Sequence, residues 1–145
     1  MKKILILLLC SLGTVGAKAA LLLSNNTTCT IPVIIKAHDI AHLTCGLQSN
    51  TFMLGPGVAA VFQDVTSLNV SPGWMGSALA STAGGTAVWG WDAVAFTFPM
   101  LSSQVGPPTG CATGYFFTYA NACSGNPVTV TWTAIGTNTL VEFNP

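Results

Sequence analysis

Short stretches in which apolar and polar residues alternate predict a protein built from β-strands. Between Thr30 and Ala37 the side chains of Ile31, Val33 and Ile35 recur at every second position, which is the period of a strand with one buried face. The apolar runs are rich in Val, Ile, Thr and aromatic residues, and Gly, Pro and Asn separate them. We therefore predict strands over 30–37, 51–54, 58–63, 66–70, 74–81, 86–98, 115–120, 128–134 and 139–143, with a long loop over 99–110.

Many short strands in a chain of 145 residues predict one all-β domain. The expected architecture is an antiparallel β-sandwich, either immunoglobulin-like or jelly-roll-like. A small barrel is the alternative, because the strand pattern alone does not separate the two. The sequence contains no internal repeat, linker or block of like charges that would mark a second domain.

The first nineteen residues have the layout of a secretory signal peptide. Lys2 and Lys3 precede an apolar run over 4–17, and Ala-Lys-Ala at 17–19 fits the small-x-small cleavage pattern. The run is shorter than the ~20 residues of a membrane-spanning helix, and Lys18 interrupts it. We therefore predict cleavage after Ala19 and a mature domain over 20–145, which is secreted, cell-surface or periplasmic and has no transmembrane segment.

Charge is scarce, and this excludes several classes of function. Half of the residues are hydrophobic, 6% are charged and none is arginine. The predicted mature chain has one lysine against four acidic side chains, so it lacks the basic surface that a nucleic-acid-binding protein needs. It also lacks a Gly-x-Ser-x-Gly motif. We predict a protein that is not an enzyme and needs no cofactor.

Four cysteines remain in the predicted mature chain, and an even number in a short exported protein indicates disulfides. Three pairings are open. We favour Cys29–Cys45 with Cys111–Cys123, because both would close short loops. The spacings do not match the paired short spacings of a four-cysteine zinc site.

Both histidines of the protein lie in one short polar segment. If Asp39 caps a helical turn, His38 and His42 lie four residues apart on one helix face and form a candidate metal site with Asp39. Asp92 or Asp64 would have to supply a further carboxylate. If the segment is extended, the histidines stand ~13 Å apart and cannot share one ion. It would then be a polar loop at the end of the first strand.

A second candidate site is a pair of tryptophans on one predicted strand. Trp89 and Trp91 project from the same face at a separation of ~6.7 Å. Together with Trp74 they could form an aromatic platform that stacks on sugar rings or contacts a protein. The alternative is burial of the pair, which is the common state of tryptophan.

The same strand carries an acidic residue whose face depends on the register. Regular alternation would place Asp92 on the predicted core face with Val94, Phe96 and Phe98. A bulge at Gly90 would reset the alternation and turn the carboxylate away from the core.

The order of these features resembles that of small exported four-cysteine bacterial proteins of unassigned function. The resemblance rests on Asn-Asn-Thr-Thr-Cys at 25–29, Cys45-Gly46, Gly110-Cys111, and Cys123 followed by Trp132 in a late strand. It covers most of the predicted mature chain. It implies an all-β secreted domain and transfers no functional residues.

The function predicted from the sequence is therefore that of a non-catalytic binding or structural protein, secreted or associated with the cell surface. A low-charge surface favours association, with a protein surface, a glycan or a second copy as partner. The apolar segment Ala20–Leu23 is either the first strand or a segment that pairs with the sheet edge of a neighbour. The alternatives are a carbohydrate-binding module at Trp89 and Trp91, and a metal-binding protein or metalloenzyme at His38 and His42.

Overall fold

Strands account for most of the described chain and form two packed sheets. The structure is a computed structural model that describes residues 19–145. One sheet has the strand order β5-β1-β10-β9-β8, and the other has the order β3-β2-β6-β7 with β4 also paired to β2. The strands are β1 (Leu21–Asn25), β2 (Ile31–Asp39), β3 (His42–Gln48), β4 (Phe52–Leu54), β5 (Ala59–Phe62), β6 (Gly90–Phe98), β7 (Leu101–Val105), β8 (Phe116–Cys123), β9 (Asn126–Ile135) and β10 (Asn138–Asn144).

The predicted all-β sandwich is confirmed, and one of its sheets curls like half a barrel. Aromatic side chains fill the space between the sheets. Phe96 of β6 meets Phe143 of β10 at a ring-centroid distance of 5.5 Å and Phe117 of β8 at 5.8 Å. These contacts join strands from both sheets, so the core depends on residues that lie far apart in the chain.

β1 lies between β5 and β10 in the first sheet. It pairs in parallel with β10 along one side and antiparallel with β5 along the other. Leu21 and Leu23 belong to the main core, whereas Leu22 packs with Leu140 on the opposite face. A strand covered on both faces has a continuous apolar sequence rather than an alternating one.

The position of β1 decides between the two alternatives predicted for the segment Ala20–Leu23. The segment Ala20–Leu23 is the first strand, and the alternative that it pairs with a neighbour's sheet edge is wrong. Both of its hydrogen-bonding edges are occupied within the chain, and its side chains are at most 2% exposed. An association of two copies would have to use another surface.

The segment between β5 and β6 differs from the strand pattern. The predicted strand over 66–70 is instead a 3-10 turn, Val65–Asn69, because Asp64 caps it by accepting the N–H of Thr66. The predicted strand over 74–81 reduces to one bridge between Trp74 and Ser49, followed by the 3-10 turn Met75–Ser77. Gly85–Ala87 forms a third turn, so β6 begins only at Gly90.

Two strands form where the sequence predicts none. β7 lies inside the predicted loop over 99–110 and pairs with β6. β3 follows the turn at residues 40 and 41 and pairs with the end of β2, so the alternative of a helical turn at Asp39 is wrong and the extended alternative is confirmed. Both strands have few apolar residues, and cross-strand hydrogen bonding rather than alternation defines them.

The favoured disulfide pairing is also wrong. Cys29 is bonded to Cys123 and Cys45 to Cys111, with Cα–Cα distances of 5.6 and 6.2 Å. The sequence separations are 94 and 66 residues, because sheet pairing brings distant segments together. Two disulfides are consistent with an oxidising extracellular or periplasmic environment.

The predicted signal peptide lies outside the described residues, except for Ala19. Within residues 19–145, no helix is long and apolar enough to cross a membrane. The predicted domain boundary at Ala20 stays a prediction.

Candidate functional site

The end of the β2–β3 hairpin contains most of the polar side chains that the sequence singles out. Asp39 and His42 face each other across the hairpin, and their side chains form a hydrogen bond of 2.7 Å between Oδ1 and Nδ1. The same Oδ1 accepts the N–H groups of Ala41 and His42. Oδ2 accepts the N–H of Ser81. The buried Asp39 carboxylate therefore closes the turn and ties the 79–81 segment to it.

The electrostatic environment of Asp39 favours its charged form. Burial alone would raise the pKa of this carboxyl. The hydrogen bonds from the His42 side chain and from the N–H groups of Ser81 and Ala41 outweigh burial and lower the pKa below its ordinary value of 3.8. The ionised carboxylate is thus part of the folded structure.

We expect this arrangement to make the hairpin sensitive to acid. A lowered pKa in the folded state contributes stability that is complete above the ordinary pKa of 3.8. That contribution is lost as the pH falls below 3.8 and through the lower pKa of the folded state. Urea denaturation of the wild type and of Asp39→Asn, from about pH 7 to about pH 2, should show a gap in unfolding free energy that narrows only in this acid range. A gap independent of pH would contradict the assignment.

A β-bulge in β6 decides which way its side chains point. Lys36 of β2 pairs with Ala93, but the next residue, Ala37, pairs with Trp91, so Asp92 is an extra residue. Trp91 consequently enters the core, 6.5 Å from Phe62 between ring centroids. The register is reset as the bulge alternative predicted, although the extra residue is Asp92 itself rather than Gly90.

The bulge directs the Asp92 carboxylate toward His38 and Cys45, and the hydrogen bonds of Asp92 to these two residues are called the Asp92 clamp below. Its Oδ1 lies 2.7 Å from His38 Nδ1, and its Oδ2 accepts the Cys45 N–H at 2.6 Å. The loop after β7 packs on the same place, since a Cβ at Gly106 would collide with the Asp92 carbonyl oxygen. This loop carries Cys111, which is bonded to Cys45. Cys45 is therefore held by its backbone N–H and by its side chain.

The clamp fixes a protrusion of the chain. Four residues of β3, Leu43 to Gly46, stand opposite the single residue His38 of β2. Cys45 has φ +60°, a left-handed conformation that costs energy for a residue other than glycine. Leu43 projects from this protrusion and is 88% exposed. The fold thus holds an aliphatic side chain in solvent with a rigid support.

We expect the Asp92 carboxylate to be essential to this support. Asp92→Ala leaves the Cys45 N–H and the His38 imidazole without their acceptor, and should lower the free energy of unfolding by about 2 kcal/mol. Hydrogen exchange at the Cys45 amide should accelerate in the variant, because the protecting acceptor is gone. Asp92→Asn, which keeps the shape and one acceptor oxygen, is the matched variant. Its free energy of unfolding and its Cys45 amide exchange rate should lie between those of the wild type and those of Asp92→Ala. Unchanged protection of the Cys45 amide in Asp92→Ala would show that the carboxylate does not hold the protrusion.

The proposed metal-binding histidines do not share a site. His38 is hydrogen-bonded to Asp92 and His42 to Asp39, so the two histidines belong to separate pairs. Among residues 19–145, no group of three His, Cys, Asp or Glu side chains is arranged to hold a metal ion. Asp64 caps the turn after β5.

The tryptophans do not form an exposed platform. Trp74, Trp89 and Trp91 are 3%, 4% and 7% exposed, and all three belong to the main core. Trp74 Nε1 donates to the Val65 carbonyl, and Trp91 Nε1 donates to the Ala19 carbonyl. The platform hypothesis is wrong and the alternative of buried tryptophans is confirmed, because the bulge turns Trp91 inward and the loop residue Trp74 covers the core.

Sequence reasoning selected the polar residues of the hairpin end but missed the side chain that they position. The Asp92 clamp depends on the bulge, which alternation allows but does not require. Leu43 carries no signal beyond its place beside His42, because a single aliphatic residue in a strand predicts burial.

Comparisons with protein-family models, curated proteins and solved structures find no match for this chain. The resemblance to small exported four-cysteine proteins stays a prediction, and the function must be argued from the geometry alone.

Proposed function

We propose that this protein is an exported, non-catalytic β-sandwich that binds at an extracellular or periplasmic surface through the end of its β2–β3 hairpin. The contact surface, called the hairpin end below, consists of Ile40, Leu43 and Leu79. These side chains are 66%, 88% and 68% exposed. The hydrogen bond from the Ser81 N–H to Asp39 holds the segment of Leu79 against the hairpin.

The observation that carries the proposal is the support beneath Leu43. The residues beside Leu43 are fixed by the hydrogen bond of the Cys45 N–H to the buried Asp92 carboxylate and by the Cys45–Cys111 disulfide. The backbone of Cys45 is held in a left-handed conformation. A solvent-exposed aliphatic side chain contributes no hydrophobic stabilisation to the folded monomer. A rigid side chain does reduce the entropy lost on binding, so this arrangement suits a contact with a partner.

The electrostatics of the hairpin end support binding by apolar contact. The two carboxylates beneath the hairpin end, those of Asp39 and Asp92, are buried, and each is hydrogen-bonded to a histidine. Lys36 donates to Gln104 and does not extend freely into solvent. A surface with little free charge provides neither long-range steering nor repulsion, so the binding energy would come from apolar burial.

Photocrosslinking tests this proposal directly. A photoreactive amino acid at position 43 of the natively exported protein should give a defined adduct. The same amino acid at position 100 is the matched control, because Met100 is 87% exposed but lies in the β6–β7 turn, at the other end of the sheet. No adduct at position 43, or the same adducts at both positions, would contradict the proposal.

The mass of the intact exported protein tests the predicted cleavage of the signal peptide. Intact mass of the protein recovered outside the cytoplasm should correspond to a chain that begins at Ala20 with two disulfides. A chain that begins at Lys18 would keep Ala19, whose carbonyl is the acceptor of Trp91 Nε1, and would move the cleavage site by two residues. A chain that retains Met1 would contradict export by a cleaved signal peptide.

A further inference from the structure

We infer that the partner of the hairpin end is a lipid bilayer, into whose zwitterionic headgroup region Ile40, Leu43 and Leu79 insert. The inference rests on the proposed function, since it names the surface to which the same site binds. Three properties of the hairpin end favour a lipid partner over a protein: its residue types, its charge and its shape.

The residue types are those that partition into lipid. The three exposed side chains are aliphatic, and Ile and Leu have favourable insertion free energies in membranes. The residues that dominate binding at protein interfaces are Trp, Tyr and Arg, and Leu is under-represented among them. The tryptophans of this chain are buried, and its sequence has no arginine.

The charge of the hairpin end selects a neutral membrane. Asp39 and Asp92 are buried, so no exposed carboxylate of the hairpin would repel the headgroups. The predicted mature chain nevertheless has one lysine against four acidic side chains, and this excess disfavours a strongly anionic bilayer. Binding should therefore depend on apolar insertion and be at least as strong on phosphatidylcholine as on anionic lipid.

The shape of the hairpin end suits shallow insertion. Ile40 lies in the two-residue turn that ends the hairpin, and Leu43 lies on the clamped protrusion beside it. A two-residue turn with exposed aliphatic side chains can enter the boundary between headgroups and acyl chains without burying a large area. The polar groups of the turn would stay among the headgroups, where water is present, and would not need internal partners.

Flotation of the mature, disulfide-bonded protein with vesicles provides the test. The wild type should float with phosphatidylcholine vesicles, and binding should persist as NaCl rises from about 0.1 M to about 1 M, where electrostatic attraction is screened. Leu43→Ser should lower the partition coefficient about tenfold, the loss expected for one aliphatic side chain. Met100→Ser, equally exposed at the opposite end of the sheet, should bind like the wild type.

Each remaining outcome has a definite meaning. Failure of the wild type to float would overturn the lipid partner, and so would equal losses in Leu43→Ser and Met100→Ser. Binding only to mixed phosphatidylcholine–phosphatidylglycerol vesicles, with loss at high salt, would also overturn it, because the attraction would be electrostatic. A protein adduct at position 43 without vesicle binding would leave the proposed function standing and refute the lipid partner alone. Thermal unfolding of each variant verifies that the fold is intact.

Discussion

Removal of the Cys29–Cys123 disulfide by the double substitution Cys29→Ala and Cys123→Ala should lower the free energy of unfolding by about 4.7 kcal/mol. The disulfide joins residues separated by 94 positions, so its loss releases a large closed loop in the unfolded chain. The chain-entropy relation gives this value for a loop of that length. Urea denaturation of the wild type and the double variant measures the difference.

The same variant also tests the disulfide pairing. With the pairing in the structure, it keeps the Cys45–Cys111 bond and has no free thiol. With the pairing favoured from the sequence, it would lose both bonds, and Cys45 and Cys111 would react with a thiol reagent. The matched control is the double substitution Cys45→Ala and Cys111→Ala, whose loop of 66 residues gives about 4.3 kcal/mol and which also releases the support of Leu43.

Truncation of Phe96 should produce the second large effect. Phe96→Ala removes a ring that is 2% exposed and contacts Phe98, Phe117 and Phe143 at centroid distances of 5.5, 5.8 and 5.5 Å. Phe143 and Phe117 belong to the opposite sheet, so the cavity would open between the two layers. Lost burial together with the cavity should cost about 4 kcal/mol, measured by urea denaturation.

An exposed phenylalanine provides the control for this substitution. Phe116 of β8 is 74% exposed, and Phe116→Ala should change the free energy of unfolding by less than about 0.5 kcal/mol. Comparable losses in the two variants would show that Phe96 is not the contact that joins the sheets. The comparison holds the residue type fixed, so only the location of the ring differs.

Local patterns predicted the strands whose two faces differ. Ile31, Val33 and Ile35 alternate with partly exposed residues in β2, and this contrast is visible in sequence. The run Leu21–Leu23 was harder to interpret, because a strand covered on both faces has no alternation. β3 and β7 were missed, since their pairing with β2 and β6 defines them and their composition does not.

The sequence predicted the polar residues of the candidate site but not their partners. The clustering of His38, Asp39 and His42 correctly marked a polar segment at the end of a strand. The pairing of Asp39 with His42 depends on the β2–β3 hairpin, and the pairing of His38 with Asp92 depends on a register shift of one residue at Asp92, which exchanges the two faces of the strand. The same shift buried Trp91, which removed the predicted aromatic platform.

Residue types and their alternation were enough to predict an all-β domain with few charged side chains and with four cysteines that form disulfides. These properties follow from composition and from the two-residue period of strands, which act locally along the chain. The disulfide partners, the direction of Asp92 and the exposure of Leu43 became known only from the packing of the folded chain. Each of these depends on contacts between segments tens of residues apart, and the bulge and sheet order that create those contacts leave no periodic signal in the sequence.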